Sequence, residues 1–337
     1  MRFRFSFDDG RPDIIIRFPK PGHTATAYRD EKVMNEVEIM DNLRQHTNIP
    51  IPRVHSWGRT AESPQHLGPF IIMDYVDGTL LSTILKQPDQ EDMILNPNID
   101  STTLYRMFDQ IAYYLFQLSQ PTFTGIGAIS KGATVAGYPV QQFPTASFDH
   151  ASDYLRSVAN EHLTHLWAQR NLADDAEIAQ QRYIARHRPA QLISKYYPED
   201  CGLSIPFCDD MRPSNMLVDP ETLQITPVLD FEFTNSMPAE FTYDPPWWML
   251  LSGTEVWLER CAMDKFVTLC ESRMVQFLRA FDVDTIYWAA LHNGDAGVGV
   301  ELLDGKARAE AKLFTQTKMK QLKTYKEECT ARFSSET

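Results

Sequence analysis

A polar segment in the second half of the chain contains the residue types that phosphoryl transfer requires. Arg212 and Asn215 lie two and five residues after Asp210, and a second acid, Asp230, follows fifteen residues after Asn215. One carboxylate can orient or deprotonate an attacking hydroxyl, while an Asn oxygen and a second carboxylate can hold Mg²⁺ against phosphates. A cation can offset charge on the moving phosphoryl group. The four residues therefore form a candidate catalytic set.

The segment between Asn215 and Asp230 predicts the element that would bring these residues together. Met216–Val218 and Ile225–Leu229 are apolar runs on either side of the turn residues 219–222, which is typical of a β-hairpin. Taken alone, Asp210 and Asn215 would be interpreted as turn formers, because Asp and Asn dominate turns. The hairpin favours the chemical interpretation, since it returns the chain so that Asp230 lies beside Asn215.

The first 77 residues predict a small β-rich lobe. Alternation in residues 3–7 and the β-branched run 14–16 predict a hairpin, with the Phe residues half buried. A helix over 28–46 is predicted by apolar residues at helical spacing, with Glu36 beside this stripe. Further strands are predicted near 53–57 and 70–75. The stripe consists of Val33, Val37, Met40 and Leu43.

From residue 78 onward, the pattern is mostly helical apart from the hairpin. The sequence thus predicts an α+β fold with two lobes, a small antiparallel β lobe over 1–77 and a larger, mainly helical lobe over 78–337. Helices are predicted near 101–119, 148–170, 174–196, 255–279 and 304–333.

Composition narrows the classes of partner. The chain has 337 residues, with 32 basic and 45 acidic side chains and a net charge of −13, so it does not favour nucleic-acid binding. No apolar run approaches the roughly 20 residues that span a bilayer, which predicts no membrane partner. The five cysteines are odd in number and form no CxxC pair, which is typical of reduced thiols in a cytoplasmic protein.

The candidate catalytic segment also resembles a known family. Residues 207–219 resemble the H-x-D-x-x-x-x-N catalytic loop of the kinase superfamily, and Asp230-Phe231-Glu232 looks like its D-F-G metal motif. The segment is most similar to the aminoglycoside phosphotransferase and choline kinase-like family. The sequences Asp209–Asn215 and Asp244–Trp248 fit the fungal branch of that family best. The resemblance extends over residues 3–260 and implies a protein-kinase-like fold.

The resemblance implies roles for the catalytic set. It makes Asp210 the catalytic acid/base, places Arg212 near the transferred phosphate, and makes Asn215 and Asp230 the Mg²⁺ ligands. Arg212 in a surface salt bridge is the other interpretation. Glu232 is either a further metal ligand or a carboxylate that holds the loop by hydrogen bonds.

The resemblance also implies a nucleotide site in the small lobe. Arg17, at a strand end, would pair with the nucleotide phosphates, and Glu36 would be its acidic partner on the following helix. The backbone at the end of the strand predicted near 70–75 would bind adenine. ATP and Mg²⁺ are therefore the expected cofactors, and the expected partner is a small molecule with a hydroxyl acceptor. The adenine-binding stretch is Met73, Asp74, Tyr75 and Val76.

Two departures from the family pattern support an alternative function. Cys208 stands where the catalytic-loop His is expected. The family's first strand and Gly-rich loop, expected before residues 3–7, are not in this sequence, which is interpreted as a truncated start, a different cover over the nucleotide or weak nucleotide binding. A strand edge left open there can pair with another chain, so homo-oligomers through this edge are also expected. The alternative to a small-molecule kinase is a catalytically impaired, pseudokinase-like binding or scaffold protein.

Overall fold

The computed structural model describes residues 1–20, 26–91, 93–128, 146–197, 202–242, 246, 248, 251 and 299–334. The described residues divide into two compact units. The first contains residues 1–149 and 202–252, and the second contains residues 150–201 and 253–337. The predicted lobe boundary at residue 77 stays a prediction. In the part of the chain that the structure describes, no helix is both long and apolar enough to cross a bilayer.

The first unit begins with a four-stranded antiparallel sheet in the order β1–β2–β4–β3. Arg17, the last residue of β2, is opposite Ile71 of β4, and both are buried. The predicted hairpin and both later strands are confirmed. The strands are β1 (Arg2–Phe5), β2 (Ile14–Arg17), β3 (Val54–Gly58) and β4 (Phe70–Asp74).

Alternation predicts a half-buried strand with its Phe side chains on the buried face, and this is wrong for Phe3 and Phe5. Phe3 and Phe5 are 46% and 47% exposed, because β1 pairs only with β2 and forms an edge of the sheet. Phe3 retains an edge-to-face contact with Phe18. Pairing of this edge with another chain stays a prediction.

The helix α1 (Arg29–His46) confirms the predicted helix and packs its apolar stripe into the core. Glu36 is buried on the same helix, at 2% exposure, which requires a partner for its charge. The loop after α1 also supports the later hairpin, because the Val228 amide donates to the Pro50 carbonyl at 2.7 Å. The buried stripe consists of Val33, Val37, Met40 and Leu43.

The rest of the first unit contains short strands and two helices. The predicted hairpin is present as β8 and β9, and β8 also pairs with β5, while β6–β10–β7 form another sheet. These elements are β5 (Thr79–Leu80), α2 (Leu81–Leu85), α3 (Ser101–Leu118), β6 (Gly127–Ala128), β7 (Ser204–Cys208), β8 (Met216–Val218), β9 (Ile225–Val228) and β10 (Thr234–Pro238).

The second unit contains α4 (Ala151–Ala168), α5 (Ala176–Tyr196) and α6 (Gly305–Ser334). They confirm three predicted helices, whereas the helix predicted at 255–279 lies outside the described residues. Lys318 of α6 is 1% exposed, and its ammonium donates to the carbonyls of Trp167 and Gln169 at the end of α4 and to Gln321. Burial lowers the pKa of Lys318 to about 8.

This lysine predicts a pH dependence of stability. Because the pKa of Lys318 in the folded chain lies below its unfolded value of about 10.4, the unfolded chain binds more protons between pH 8 and 10. The free energy of unfolding of the wild type, relative to Lys318→Met, should therefore rise by about 1 kcal/mol per pH unit in this window. Urea unfolding at pH 7.5 and 9.5 measures it. Lys323→Met, at an exposed site on α6, is the control and should show no such rise.

Candidate active site

One arginine connects three separate segments of the first unit. The Arg17 guanidinium donates through Nη2 to Glu36 Oε2 and through Nη1 to Asp230 Oδ1, the latter at 3.1 Å. Arg17 and Glu36 are both buried. The ion pair between Arg17 and Glu36 is the one that the sequence predicts, and the contact with Asp230 adds a candidate metal ligand to it.

The charges in this group strongly affect one another. Burial raises the pKa of Glu36 to about 7, against the opposing effect of the Arg17 cation, and the carboxylates of Asp230 and Glu232 raise it further. Burial by itself would lower the pKa of Arg17, but the same three carboxylates outweigh burial and raise it. Arg17 therefore stays protonated and offsets a local excess of negative charge.

The structure brings the predicted catalytic residues into contact around Asp210. Asn215 donates through Nδ2 to Asp210 Oδ2 and to the Asp210 carbonyl, each at 2.8 Å, and Arg212 Nε lies 2.7 Å from Asp210 Oδ1. Burial raises the pKa of Asp210, and Arg212 and Asn215 counteract this. The carboxylate is thus held by a cation and an amide, while burial makes it a stronger base.

The hairpin positions Asp230 beside this loop. The Leu229 amide donates to the Asn215 carbonyl at 2.8 Å, and Phe231 is completely buried. Asp230 itself has a φ of +65°, in the left-handed region that residues other than Gly rarely adopt. The backbone is held in this conformation by the ordered residues on either side, which is common at functional sites.

These residues provide ligands of the type that Mg²⁺ prefers. Ligand oxygens of Glu36, Asp230 and Glu232 lie within 4.8 Å of one another. The Nδ2 of Asn215 is bonded to Asp210, so its Oδ1 is the atom that can serve a metal. Carboxylate and amide oxygens are hard ligands suited to Mg²⁺, so the residues present fit this ion.

Lys32 also belongs to this group, although it is not among the site residues predicted from the sequence. Its Nζ lies 3.1 Å from Glu232 Oε1 and 4.7 Å from the centre of the Phe233 ring. A signal for it was available, since Lys32 precedes Glu36 by four residues and therefore lies on the same face of α1.

A cavity of about 1170 Å³ is lined by six of these residues, namely Arg17, Lys32, Asp210, Arg212, Asp230 and Glu232. That volume slightly exceeds the range typical of small-molecule sites. Its lining contains both positive and negative side chains. The basic ones are Arg2, Arg17, Lys20, Lys32 and Arg212, and the acidic ones are Glu31, Asp210, Asp230 and Glu232.

The predicted adenine-binding stretch lies elsewhere in the first unit. The amides of Asp74 and Tyr75 donate to the carbonyls of Arg53 and Asp13, each at 3.0 Å. Neither these two residues nor Met73 and Val76 are among the described residues that line the cavity. Their role in binding adenine stays a prediction.

Cys208, in the position of the catalytic-loop His, is a packing residue. It ends β7 in the core, 5% exposed, and burial raises the pKa of its thiol to about 12. Its carbonyl accepts a long hydrogen bond from the Met211 amide, at 3.5 Å. The thiol is therefore neutral and supports the loop through packing. Of the fungal-branch stretch 244–248, residues 244, 245 and 247 lie outside the described residues, and Trp248 is buried in the core.

Comparison with known proteins identifies the family. The family model described as the phosphotransferase enzyme family, APH, matches residues 2–266. The chain belongs to this family. The similarity that the sequence shows to the aminoglycoside phosphotransferase family is thereby confirmed.

This phosphotransferase also resembles a curated fungal protein, clavilactone A biosynthesis cluster protein Y of Ampulloclitocybe clavipes. The two are 25% identical over 264 residues, which make up 74% of this chain. The aligned part spans 61% of the length of that relative.

Among solved structures, the phosphotransferase is similar to a thermostable mutant of aminoglycoside phosphotransferase APH(4)-Ia in a ternary complex with AMP-PNP and hygromycin B. The identity is 14%, the TM-score 0.46, and the coverage 95% of this chain and 94% of that one. It is also similar to ADP-bound aminoglycoside phosphotransferase APH(2'')-Ib, with 13% identity, a TM-score of 0.46, and coverage of 96% and 94%.

The buried ion pair leads to a stability prediction. Arg17→Met should lower the free energy of unfolding by about 3–5 kcal/mol, because it leaves the buried Glu36 carboxylate without its cation. The double variant Arg17→Met/Glu36→Gln should recover a large part of this loss. Urea unfolding of the two single variants and the double variant measures the coupling. If the double variant lost as much free energy of unfolding as the two single variants together, the structural role assigned to the pair would be contradicted.

Proposed function

We propose that this protein is a small-molecule kinase that transfers the γ-phosphate of ATP to a hydroxyl group. The observation that carries the proposal is that Asp210, Asp230 and the buried Arg17 line one cavity, with Asn215 bonded to Asp210 and Arg17 to Asp230. Membership of the phosphotransferase family supports the same reaction class. Location in the cytoplasm stays a prediction.

In the proposed mechanism, Asp210 orients the acceptor hydroxyl for in-line attack and accepts its proton. Asn215 keeps one carboxylate oxygen of Asp210 in place through its amide, and Arg212 contacts the other. Arg212 is the cation nearest to this carboxylate and would offset charge on the transferred phosphoryl group.

Asn215 and Asp230 would hold Mg²⁺, which when bound neutralises phosphate charge and orients the phosphates. Arg17 would reach the α- and β-phosphates from the buried end of the cavity, while Glu36 keeps its guanidinium in position. The backbone of residues 73–76 would bind adenine. The acceptor is a small molecule with a hydroxyl group.

The first experiment measures nucleotide consumption with Mg²⁺ and a panel of amino alcohols, sugars and aminoglycosides. We expect acceptor-dependent consumption of ATP with at least one class. The absence both of turnover and of Mg-ATP binding would contradict the proposal. Binding without turnover on a broad panel would instead favour the pseudokinase-like alternative.

Asp210→Asn should lower kcat by about 10²–10⁴-fold, because the variant cannot accept the proton of the hydroxyl. The Kd for Mg-ATP should change by less than about threefold, since Asn keeps the size of the side chain and Asp210 is not one of the proposed Mg²⁺ ligands. Asp149→Asn, at an exposed residue of the same unit, is the matched control and should retain full turnover. Full turnover in Asp210→Asn would mean that another group is the base.

The acid limb of the pH profile should depend on Arg212. If Asp210 acts as the base, kcat/KM falls as the pH drops through its pKa, which burial raises and Arg212 lowers. Arg212→Met removes that cation, so the acid limb should move to higher pH. Arg212→Lys should restore much of the shift. If the acid limb of kcat/KM stays at the same pH in Arg212→Met, Asp210 is not the base that produces it.

A further inference from the structure

Lys32 on α1 faces the candidate metal group from the cavity wall. Its ammonium lies 3.1 Å from Glu232 and over the ring of Phe233. The side chains of Lys32 and Glu232 are 19% and 20% exposed, so the pair is largely shielded from solvent. Such a pair interacts more strongly than an exposed surface salt bridge.

The carboxylate that Lys32 contacts belongs to the same group as Asp230. Oxygens of Glu232, Asp230 and Glu36 lie within 4.8 Å of one another, so the carboxylate that Lys32 contacts is itself close to that of Asp230. A phosphate oxygen bound to Mg²⁺ lies about 2.0–2.1 Å from the ion. A phosphate that shares a metal with this group therefore comes within reach of the Lys32 side chain.

Two of the other cations that line the cavity are bonded to acids. Arg17 is bonded to Glu36 and Asp230, and Arg212 to Asp210, the proposed base. A triphosphate brings several additional negative charges into a site that already contains carboxylates. Lys32 is well suited to offset that charge, because its flexible stem and three donors adapt to a moving phosphate.

We propose that Lys32 binds the γ-phosphate of ATP and that Glu232 holds its ammonium group at the cavity until the nucleotide enters. The inference rests on the proposed function and adds a phosphate-binding residue to it. Glu232 has oxygens of the kind that Mg²⁺ prefers. The carboxylate can therefore leave Lys32 for the ion as the ammonium turns to the phosphate.

The test measures dissociation constants of AMP, ADP and ATP by isothermal titration calorimetry on the full chain with Mg²⁺. Lys32→Met should weaken ATP binding by about 10- to 100-fold, the range expected for one charge-assisted hydrogen bond. ADP should lose less, and AMP less than about twofold. Lys32→Arg should stay within about threefold of the wild type. Lys323→Met, which removes the same charge from an exposed site, should bind all three nucleotides like the wild type.

A second arm without Mg²⁺ tests the exchange of partners. Glu232→Gln should bind ATP more tightly than the wild type, because Lys32 is released, and the double variant Lys32→Met/Glu232→Gln should lose this gain. A gain of equal size with and without Lys32 would overturn the exchange, because it would reflect only the lost repulsion of Glu232. If Lys32→Met does not fold, this comparison is made with Lys32→Gln.

The outcomes separate this inference from the function on which it rests. Wild-type protein that binds no nucleotide with Mg²⁺ would overturn both. Wild-type protein that binds ATP while Lys32→Met binds it equally well would overturn the role of Lys32 alone. An equal loss for AMP and ATP in a folded Lys32→Met would also overturn it, because AMP carries no γ-phosphate.

Discussion

The geometry of this site depends on a buried guanidinium. Arg17 cannot be placed in the core without compensation for its charge, and the structure provides two carboxylates, Glu36 from α1 and Asp230 from the loop after β9. A planar guanidinium can bond both at once, which the point charge of a lysine does less well. One side chain therefore fixes the relative positions of the small sheet, the first long helix and the loop after β9.

A second set of contacts connects this group to the catalytic loop. Asn215 bonds to Asp210 through its side chain and accepts the Leu229 amide through its carbonyl, so the two ends of the β8–β9 hairpin are held together. The burial of Phe231 anchors the residue after Asp230. The net charge of −13 is thus a poor guide to ligands, because five basic residues line the cavity that contains the proposed site.

The sequence predicts the local parts of this arrangement well and the distant contacts poorly. The hairpin between Asn215 and Asp230 is encoded by neighbouring residues, and α1 by a regular apolar stripe. Both elements could therefore be predicted from local patterns, and the structure confirms them. The contact of Arg17 with Asp230 joins residues 213 positions apart, and no periodic pattern records such a pairing. The contact between Lys32 and Glu232 is of the same kind. The exposure of Phe3 and Phe5 depends on which strands flank β1, which alternation within one strand does not specify.

The central claim is that Asp230 and Asn215 hold a divalent ion together with the nucleotide phosphates. Electron paramagnetic resonance of Mn²⁺, titrated into the protein with and without ATP, tests it most directly. The account predicts that ATP increases the amount of Mn²⁺ bound to the wild type and that Asp230→Asn, but not the exposed Asp149→Asn, loses this increase. An ATP-dependent increase of the same size in Asp230→Asn would contradict the account.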